Sequence, residues 1–280
     1  MPRPKPGVPM PIPSPARIAD AELAAIRDTA AAMADAARIE TLRHFRSPLL
    51  APDNKAALGF DPVTEADRAC ERAMRAILAE RRPRDAILGE EYGPAPGTSG
   101  LTWVLDPIDG TRAYLCGAPT WGVLIGVTDA EGAVYGLIDQ PWTGERFEGG
   151  PGVAGVTAPQ GNRALSVRRG VGLAQATLMT TYPEVGGPDE TAAFRRVADG
   201  VRLTRYGFDC YAYALLALGQ VDLVIEAGLQ PYDVVAPIAV VQAAGGIVTD
   251  WSGGPAHGGG RVIAAATPEL HAQALALLAG

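Results

Sequence analysis

The chain has 280 residues, of which 48% are hydrophobic, and a formal net charge of −7. This length is ample for a large core and lies near the upper limit for one compact unit, so we expect one or two tightly joined subdomains. The negative charge argues against nucleic acid or an anionic membrane as the main partner. No run approaches the roughly 18 apolar residues of a membrane span, which also predicts no membrane partner.

Cysteine and histidine usage restricts the metal chemistry. The three cysteines have no CxxC spacing, and reduced thiols in the cytoplasm are the simplest account of them. The three histidines are far apart and none stands beside an acidic motif, which argues against a zinc site built from His and Cys. Oxygen ligands remain, and they favour Mg²⁺ or Mn²⁺.

The first part of the chain is predicted to be helical after an irregular tail. Residues 1–17 have proline at almost every second position and no apolar stretch, which indicates a flexible tail and not a signal peptide. Apolar residues at three- and four-residue spacing predict a long amphipathic helix over 18–46. Residues 47–60 are interpreted as a loop or irregular hairpin. Thr64 is then a good N-cap for a second helix.

Short β-rich runs dominate residues 85–148 and predict an antiparallel meander covered by the two helices. The glycine-rich segment 149–163 is loop-like and marks a predicted boundary between halves at 18–150 and 151–280. Strands and helices alternate in the second half, which predicts a layered α/β arrangement with helices on both faces. The elements predicted there are helices at 189–198, 210–218, 234–244 and 268–278 and strands at 178–181, 201–203, 221–226, 247–249 and 262–265.

Two carboxylates three residues apart straddle a rigid turn in the stretch WVLDPIDGT. The apolar run before the turn predicts a short buried strand, and Pro107 keeps the preceding Asp106 extended. Because Gly110 permits a sharp reversal, Asp106, the Ile108 carbonyl and Asp109 can face one small volume, as ligands of a hard divalent cation. A helix that begins after Gly110 would add an anion site of backbone N–H groups. The alternative is an ordinary surface turn, since Asp, Pro and Gly all favour turns.

Two further acidic elements accompany this turn: Gly-Glu-Glu at 89–91, and Tyr232-Asp233 at the start of a small-residue segment that ends in Ala-Gly-Gly. The order and spacing of the three motifs resemble the inositol monophosphatase-like, metal-dependent phosphatases, from about residue 20 to the C-terminus. The string DCYAY followed by LVIEAGLQPYD resembles the histidinol-phosphate phosphatase branch. The resemblance implies an α/β (α+β) fold of the layered αβαβα sandwich type.

The resemblance also implies a role for each acidic residue. Two to three Mg²⁺ ions, with Mn²⁺ as a substitute, are held by four carboxylates and one backbone carbonyl, those of Glu90, Asp106, Ile108, Asp109 and Asp233. Glu90 and the pair of Thr111 and Asp67 activate the attacking water, and the N–H groups of Gly110 and Thr111 bind the phosphate. Cations are needed, because like charges about 4 Å apart repel by about 4 kcal/mol at an effective dielectric constant of about 20. Alternatively, Asp67 is an ordinary capping carboxylate of the second helix.

Substrate choice is predicted to rest on two segments, 205–213 and 226–233. Glu226 stands seven residues before Asp233, where family members place a carboxylate that contacts a polyol or an amine. Asp209 and Glu226 together suit a cationic amino alcohol, although Asp209 is equally explained as the N-cap of the helix that follows it. Arg205 is either a substrate contact or part of a structural ion pair. Phe208 departs from the branch, where glycine is usual.

The leading hypothesis is a Mg²⁺-dependent phosphatase for a small phosphate monoester, with histidinol phosphate first, converted to histidinol and phosphate in histidine biosynthesis. The alternative with the same chemistry is an inositol-1-phosphate phosphatase, or one that acts on a bisphosphorylated nucleotide or a sugar. A third hypothesis is a silent regulator that binds phosphorylated metabolites, but every expected carboxylate and threonine is present. Dimers are common in the family, so the resemblance allows a homodimer.

Overall fold

The structure is a computed structural model and describes residues 18–47, 53–54 and 62–280. The predicted tail over 1–17 and most of the predicted loop or hairpin over 47–60 lie outside the described residues. Within the described part, every helix is too short or too polar to pass through a bilayer. The helices are α1 (Asp20–His44), α2 (Glu65–Arg81), α3 (Thr111–Leu115), α4 (Pro188–Ala198), α5 (Cys210–Ala217), α6 (Pro231–Ala243) and α7 (Pro268–Ala279).

An eight-stranded sheet occupies the first half, after an antiparallel pair formed by β1 (Asp53–Asn54) and β2 (Pro62–Val63). Its strands are β3 (Ala86–Gly89), β4 (Gly93–Ala95), β5 (Thr102–Asp109), β6 (Gly122–Thr128), β7 (Ala133–Gln140), β8 (Glu145–Gly150), β9 (Val153–Thr157) and β10 (Arg163–Ala164). The spatial order is β10-β9-β8-β7-β6-β5-β3-β4. All neighbours are antiparallel except β3 and β5, which are parallel.

A five-stranded sheet occupies the second half. Its strands are β11 (Thr177–Thr180), β12 (Leu203–Tyr206), β13 (Leu223–Leu229), β14 (Ile247–Asp250) and β15 (Gly260–Ala265). The spatial order is β12-β11-β13-β15-β14, in which β11 runs parallel to β12 and β13 and the other neighbours are antiparallel.

Apolar side chains cover both faces of both sheets. α1 and α2 pack on one face of the first sheet, against Trp103 and Tyr135. α5 and α6 lie between the sheets, in a cluster that Leu124 joins from the first sheet and Val224 from the second. The neighbouring Leu223 points to the opposite face, as alternation along a strand requires, and packs with α4 and α7. The resulting five layers confirm the predicted αβαβα sandwich.

The predicted helices and the antiparallel meander are confirmed, but two element predictions were wrong. The segment 149–163 was predicted as a loop but contains β9. Its glycines hide the alternation of apolar and polar residues that is typical of a strand. The strand is stabilised by its pairing with β8. The strand predicted at 201–203 is displaced and forms β12 at Leu203–Tyr206. The first sheet thus continues past residue 150, and the division into halves at that residue stays a prediction.

A row of glycines runs across the first sheet beneath α6. Gly126, Gly136 and Gly149 lie directly opposite one another on β6, β7 and β8. A Cβ at Gly136 would overlap the carbonyl group of Ala236, and one at Gly149 would overlap the backbone of the same helix. Glycine therefore lets α6 approach the sheet backbone closely. This contact positions α6, whose first turn carries Asp233.

Gly136→Ala is expected to lower the free energy of unfolding by about 1–3 kcal/mol, because an added methyl in a packed interface forces the backbone to shift. Thermal unfolding followed by circular dichroism measures the effect as a lower Tm. Gly155→Ala is the matched control, since the nearest atom to a Cβ there is 3.8 Å away. Equal shifts in the two variants would show that the close approach of α6 is unimportant.

Candidate active site

The two aspartates of the DPIDGT turn come together through an irregularity in β5. Side chains three residues apart on a regular strand point to opposite faces. Here the pairing of β5 with β6 shifts register between Asp106 and Asp109, which re-aims one side chain. One carboxylate oxygen each from Asp106, Asp109 and Asp233 consequently lie within 4.8 Å of one another. The structure thus brings Asp233 next to two aspartates of the turn, the nearer of which lies 124 residues earlier in the chain.

Each of these three carboxylates is oriented by a backbone N–H group. Asp106 Oδ1 accepts from the N–H two residues later, at 3.0 Å. Asp109 Oδ2 accepts from the first N–H of α5 at 2.5 Å, and Asp233 Oδ2 accepts from the N–H just before α6 at 2.6 Å. These backbone N–H groups fix the direction in which each carboxylate points.

Crowding of buried acids is the main electrostatic feature of this cluster. Burial raises the pKa of Asp106 well above its usual range, and the charges of Glu90, Asp109 and Asp233 raise it further. Burial likewise raises the pKa of Asp109, followed by the charges of Asp209 and Asp233. A cation relieves both the desolvation and the repulsion. Carboxylate and carbonyl oxygens are the ligands that Mg²⁺ and Mn²⁺ prefer, so the residues fit such an ion.

Glu90 reaches the cluster from a loop that is tied to α2. Glu71, buried in α2, pairs with Arg75 at 2.7 Å and accepts from the two backbone N–H groups that follow Glu90, at 2.7 and 3.2 Å. A Cβ at Gly89 would overlap the Glu71 carboxylate, so glycine is required before Glu90. Glu90 is near enough to Asp106 for its charge to raise the pKa of Asp106. The loop therefore adds a fourth acid to the cluster.

The two carboxylate oxygens of Asp67 have different contacts. Its Oδ2 accepts from the N–H and the hydroxyl of Thr64, at 2.8 and 2.6 Å, as part of the capping box of α2. Its Oδ1 lies 3.5 Å from the Thr111 hydroxyl, which also lies 3.1 Å from the Ile108 carbonyl oxygen. Burial raises the pKa of Asp67 to about 6. Asp67 therefore caps α2 and contacts Thr111 at the same time.

A cavity of about 260 Å³ opens beside the acidic cluster. Asp109 and Asp233 line one part of it, and Asp209 and Glu226 also line it. Glu226 Oε1 accepts from the N–H and the hydroxyl of Thr181, at 3.0 and 2.7 Å. Burial raises the pKa of Glu226 to about 8. The cavity is small, polar and acidic, with room for one small molecule next to the cluster.

Asp209 adopts a strained backbone conformation at the edge of this cavity. Its φ of 46° lies in the left-handed region that favours glycine, and such outliers cost about 1–3 kcal/mol. Asp209 occupies the N-cap position of α5, but among the described residues its side chain makes no capping hydrogen bond, so capping does not account for this side chain. The carboxylate instead packs on Gly110, whose φ is 87° and where a Cβ would lie 2.8 Å from Asp209 Cγ. Burial raises the pKa of Asp209 to about 6, against the lowering effect of Arg112.

Known proteins share this arrangement over almost the whole chain. The model of the inositol monophosphatase family matches residues 22–279. The chain belongs to the inositol monophosphatase family. The chloroplastic bifunctional phosphatase IMPL2 of Arabidopsis thaliana is 38% identical over 94% of this chain and 77% of that protein. A histidinol-phosphatase of Streptomyces coelicolor is 34% identical over 88% of this chain and 94% of the relative. An inositol monophosphatase structure from Zymomonas mobilis has a TM-score of 0.81 and 38% identity, over 94% of this chain and 100% of the other.

Membership of the inositol monophosphatase family confirms the predicted enzyme class. The protein is a phosphatase of the phosphoric monoester hydrolase group, and the family is metal-dependent. The acidic cluster is the place in the described structure where three carboxylates converge closely enough for a cation. The predicted roles of the individual residues stay predictions.

Two residues predicted to influence substrate choice lie away from the cavity wall. Arg205 is exposed on β12, at the edge of the second sheet, and does not line the cavity. Its role as a substrate contact stays a prediction. Phe208 is half-buried against the core between the sheets and does not line the cavity either. The departure from the family pattern therefore does not place an aromatic ring in the cavity.

One side chain at the site, Glu71, was missed by sequence reasoning. Glu71 anchors the loop of Glu90 and lies four residues after Asp67 on α2, so both are on one face of that helix. This four-residue spacing was the available signal. Tyr213, in the segment 205–213 that was predicted to influence substrate choice, lines the cavity.

Proposed function

We propose that this phosphatase hydrolyses histidinol phosphate to histidinol and phosphate, and that it does so with Mg²⁺. The observation that carries the proposal is the presence of Asp209 and Glu226 in the same cavity as Asp109 and Asp233. Two carboxylates favour the ammonium group of an amino alcohol, whereas a neutral polyol gains only weaker hydrogen bonds from them. The similarity to the histidinol-phosphatase of Streptomyces coelicolor supports the same substrate.

The proposed cation ligands are the acids of the cluster together with one backbone carbonyl. When bound, two to three Mg²⁺ ions, or Mn²⁺ in their place, would neutralise these acids and stabilise the charge of the phosphoryl oxygens. The proposed ligands are Glu90, Asp106, the Ile108 carbonyl, Asp109 and Asp233. Their convergence in a buried cluster supports the assignment.

Activation of the attacking water is assigned to Thr111, Asp67 and Glu90. When the Thr111 hydroxyl donates to Asp67 Oδ1, 3.5 Å away, and not to the Ile108 carbonyl oxygen, 3.1 Å away, its lone pairs accept a hydrogen bond from the attacking water. Glu90 is the proton acceptor for the same water. The N–H groups of Gly110 and Thr111, at the start of α3, hold a phosphate oxygen. Water attacks phosphorus and gives a proton to Glu90, the bond between phosphorus and the alcohol oxygen breaks, and the leaving alkoxide takes up a proton from solvent, so that no side chain becomes phosphorylated.

Inositol 1-phosphate is the second candidate substrate. It is favoured by the similarity to the inositol monophosphatase from Zymomonas mobilis, at 38% identity over 94% of this chain. The same cluster would carry out the same hydrolysis on it. Asp209 and Glu226 would then bind hydroxyl groups and not an ammonium group.

We also propose a cytoplasmic location, supported by free cysteines of which Cys116 is exposed, as expected in a reducing compartment. A homodimer stays a prediction.

The proposal is tested by phosphate release from a panel of monoesters, with and without Mg²⁺. We expect kcat/KM for histidinol phosphate to exceed that for inositol 1-phosphate by at least about tenfold, since one charge-assisted hydrogen bond contributes about 1.5–3 kcal/mol. Activity is expected to disappear with EDTA and to return with Mg²⁺ or Mn²⁺. Preference for inositol 1-phosphate would transfer the proposal to the second candidate.

Glu226→Gln is expected to lower kcat/KM for histidinol phosphate by about 10–100-fold and for inositol 1-phosphate by much less. The amide keeps an oxygen for the Thr181 donors, but it cannot ionise as Glu226 does when a bound ammonium group lowers its pKa. Glu148→Gln is the control, because Glu148 pairs with Arg27 at 2.7 Å outside the cavity, and it should leave both substrates unaffected. Equal losses on the two substrates in Glu226→Gln would remove the argument for amine recognition.

A further inference from the structure

α5 carries a tyrosine whose hydroxyl is buried in the cavity wall. Tyr213 is 2% exposed and lines the cavity. Within the described part of the chain its Oη has no hydrogen-bond partner. Other buried tyrosines are satisfied: the Tyr114 hydroxyl donates to a backbone carbonyl at 2.6 Å, and the Tyr135 hydroxyl to Glu148 at 3.2 Å. A buried hydroxyl without a partner destabilises the protein, so its position in a binding cavity points to a ligand.

The surroundings of this hydroxyl define the kind of group that fits it. Burial, then the charges of Glu226, Asp109 and Asp233, raise the pKa of Tyr213 well above its usual range, so the phenol stays protonated. Tyr213 lines the same cavity as Glu226 and as two of the proposed cation ligands, Asp109 and Asp233. Its oxygen offers two lone pairs to a donor placed at that point.

An ammonium group matches the number of acceptors at this place. It has three N–H donors, and three acceptors line the cavity here: Asp209, Tyr213 and Glu226. Asp209 and Glu226 are close enough for their charges to interact. A substrate hydroxyl has a single proton, so it can donate to one of these groups, whereas an ammonium group can donate to all three. Because two of the three groups are carboxyl groups, the cavity favours a cationic donor over an alcohol.

We propose that Tyr213 Oη accepts a hydrogen bond from the ammonium group of an amino-alcohol phosphate, which it shares with Glu226 and Asp209, and that Tyr213 is a specificity-determining residue. This inference rests on the proposed function. It adds a directional hydrogen bond to the attraction between charges, because the packed ring of Tyr213 fixes the position of its hydroxyl oxygen. It also explains why a buried hydroxyl is kept at this position in the absence of a protein partner.

The test is Tyr213→Phe, assayed with histidinol phosphate and with the same phosphate ester lacking the amino group. We expect KM for histidinol phosphate to rise about tenfold with kcat little changed, which corresponds to one hydrogen bond to a charged group. The ester without the amine should be turned over as by the parent. The Tm of the ligand-free variant should be equal to or higher than that of the parent, because an unsatisfied buried group is removed.

Tyr211→Phe is the matched control. The Tyr211 hydroxyl donates to Glu145 at 2.6 Å and does not line the cavity, so its loss should lower the Tm and leave KM for both esters unchanged.

Three results would overturn the inference on Tyr213 while leaving the proposed function in place, provided that the parent enzyme hydrolyses histidinol phosphate. They are unchanged KM in Tyr213→Phe, equal changes on the two esters, and a lower Tm that reveals a structural partner. If the parent enzyme itself hydrolyses inositol 1-phosphate and not histidinol phosphate, the proposed function fails, and the inference fails with it.

Discussion

Asp106→Asn is expected to abolish phosphate release while the protein stays folded. Asp106 is 2% exposed and shares the cluster with Asp109 and Asp233. The amide removes a charge that the proposed ions require, and metal ions contribute several kcal/mol to stabilisation of the transition state. Because each 1.4 kcal/mol is about tenfold in rate, we expect a loss of at least about a thousandfold in kcat. Phosphate release under saturating substrate measures it.

The same variant is expected to be as stable as the parent, or more stable, when no metal is present. Burial and the neighbouring carboxylates already raise the pKa of Asp106, so a neutral side chain relieves repulsion in the folded state. The stabilisation that Mg²⁺ gives to the parent should be lost, since ligand binding stabilises only a protein that binds it. Thermal unfolding with and without Mg²⁺ measures both effects.

Asp85→Asn is the control, because the pKa of Asp85 is shifted in the opposite direction from that of Asp106. Asp85 is also buried, but hydrogen bonds from Arg82, Ser99 and Trp103 outweigh the effect of burial and lower its pKa. Its amide variant should lower the Tm and leave turnover and the response to Mg²⁺ unchanged. Near-normal turnover in Asp106→Asn, or a Mg²⁺ response equal to that of the parent, would show that the cation site is assigned wrongly.

The local part of the site could be predicted because its determinants are adjacent in sequence. Asp106, Pro107, Asp109 and Gly110 occupy one turn, and their geometry follows from proline and glycine dihedral preferences. Periodicity likewise predicted α1 and α2, whose buried positions recur at helical spacing. The capping role of Asp67 was predicted from its position three residues after Thr64 in the sequence.

The remainder depends on contacts between distant segments, which one sequence does not specify. The register shift in β5 that aligns Asp106 with Asp109 arises only when β5 pairs with β6. β9 is a strand because β8 provides an edge for it, although its own glycines favour a loop. Asp209 was explained equally well as a helix cap, and only its packing on Gly110 separates the two interpretations.

Thr111→Val is expected to reduce kcat by about 10²–10⁴-fold, the usual contribution of a positioned proton acceptor. Valine keeps the shape of threonine but lacks the hydroxyl that lies 3.5 Å from Asp67 Oδ1. KM and the Mg²⁺ response should change little, because the N–H of residue 111 is kept. Thr29→Val is the matched control: Thr29 is buried, its hydroxyl donates to a carbonyl within α1 at 2.8 Å, and its loss should leave kcat unchanged.

The pairing of Thr111 with Asp67 is then separated from the capping function of Asp67 by a double-mutant cycle. Asp67→Asn keeps an oxygen for the Thr64 donors, so α2 should remain capped and the Tm nearly constant. If the two side chains act on the water as one unit, the double variant will be no slower than the slower single variant. Multiplied losses, with the Mg²⁺ response intact in both singles, would mean that Asp67 and Thr111 act independently. Unchanged kcat in Asp67→Asn would return the assignment of Asp67 to that of a helix cap.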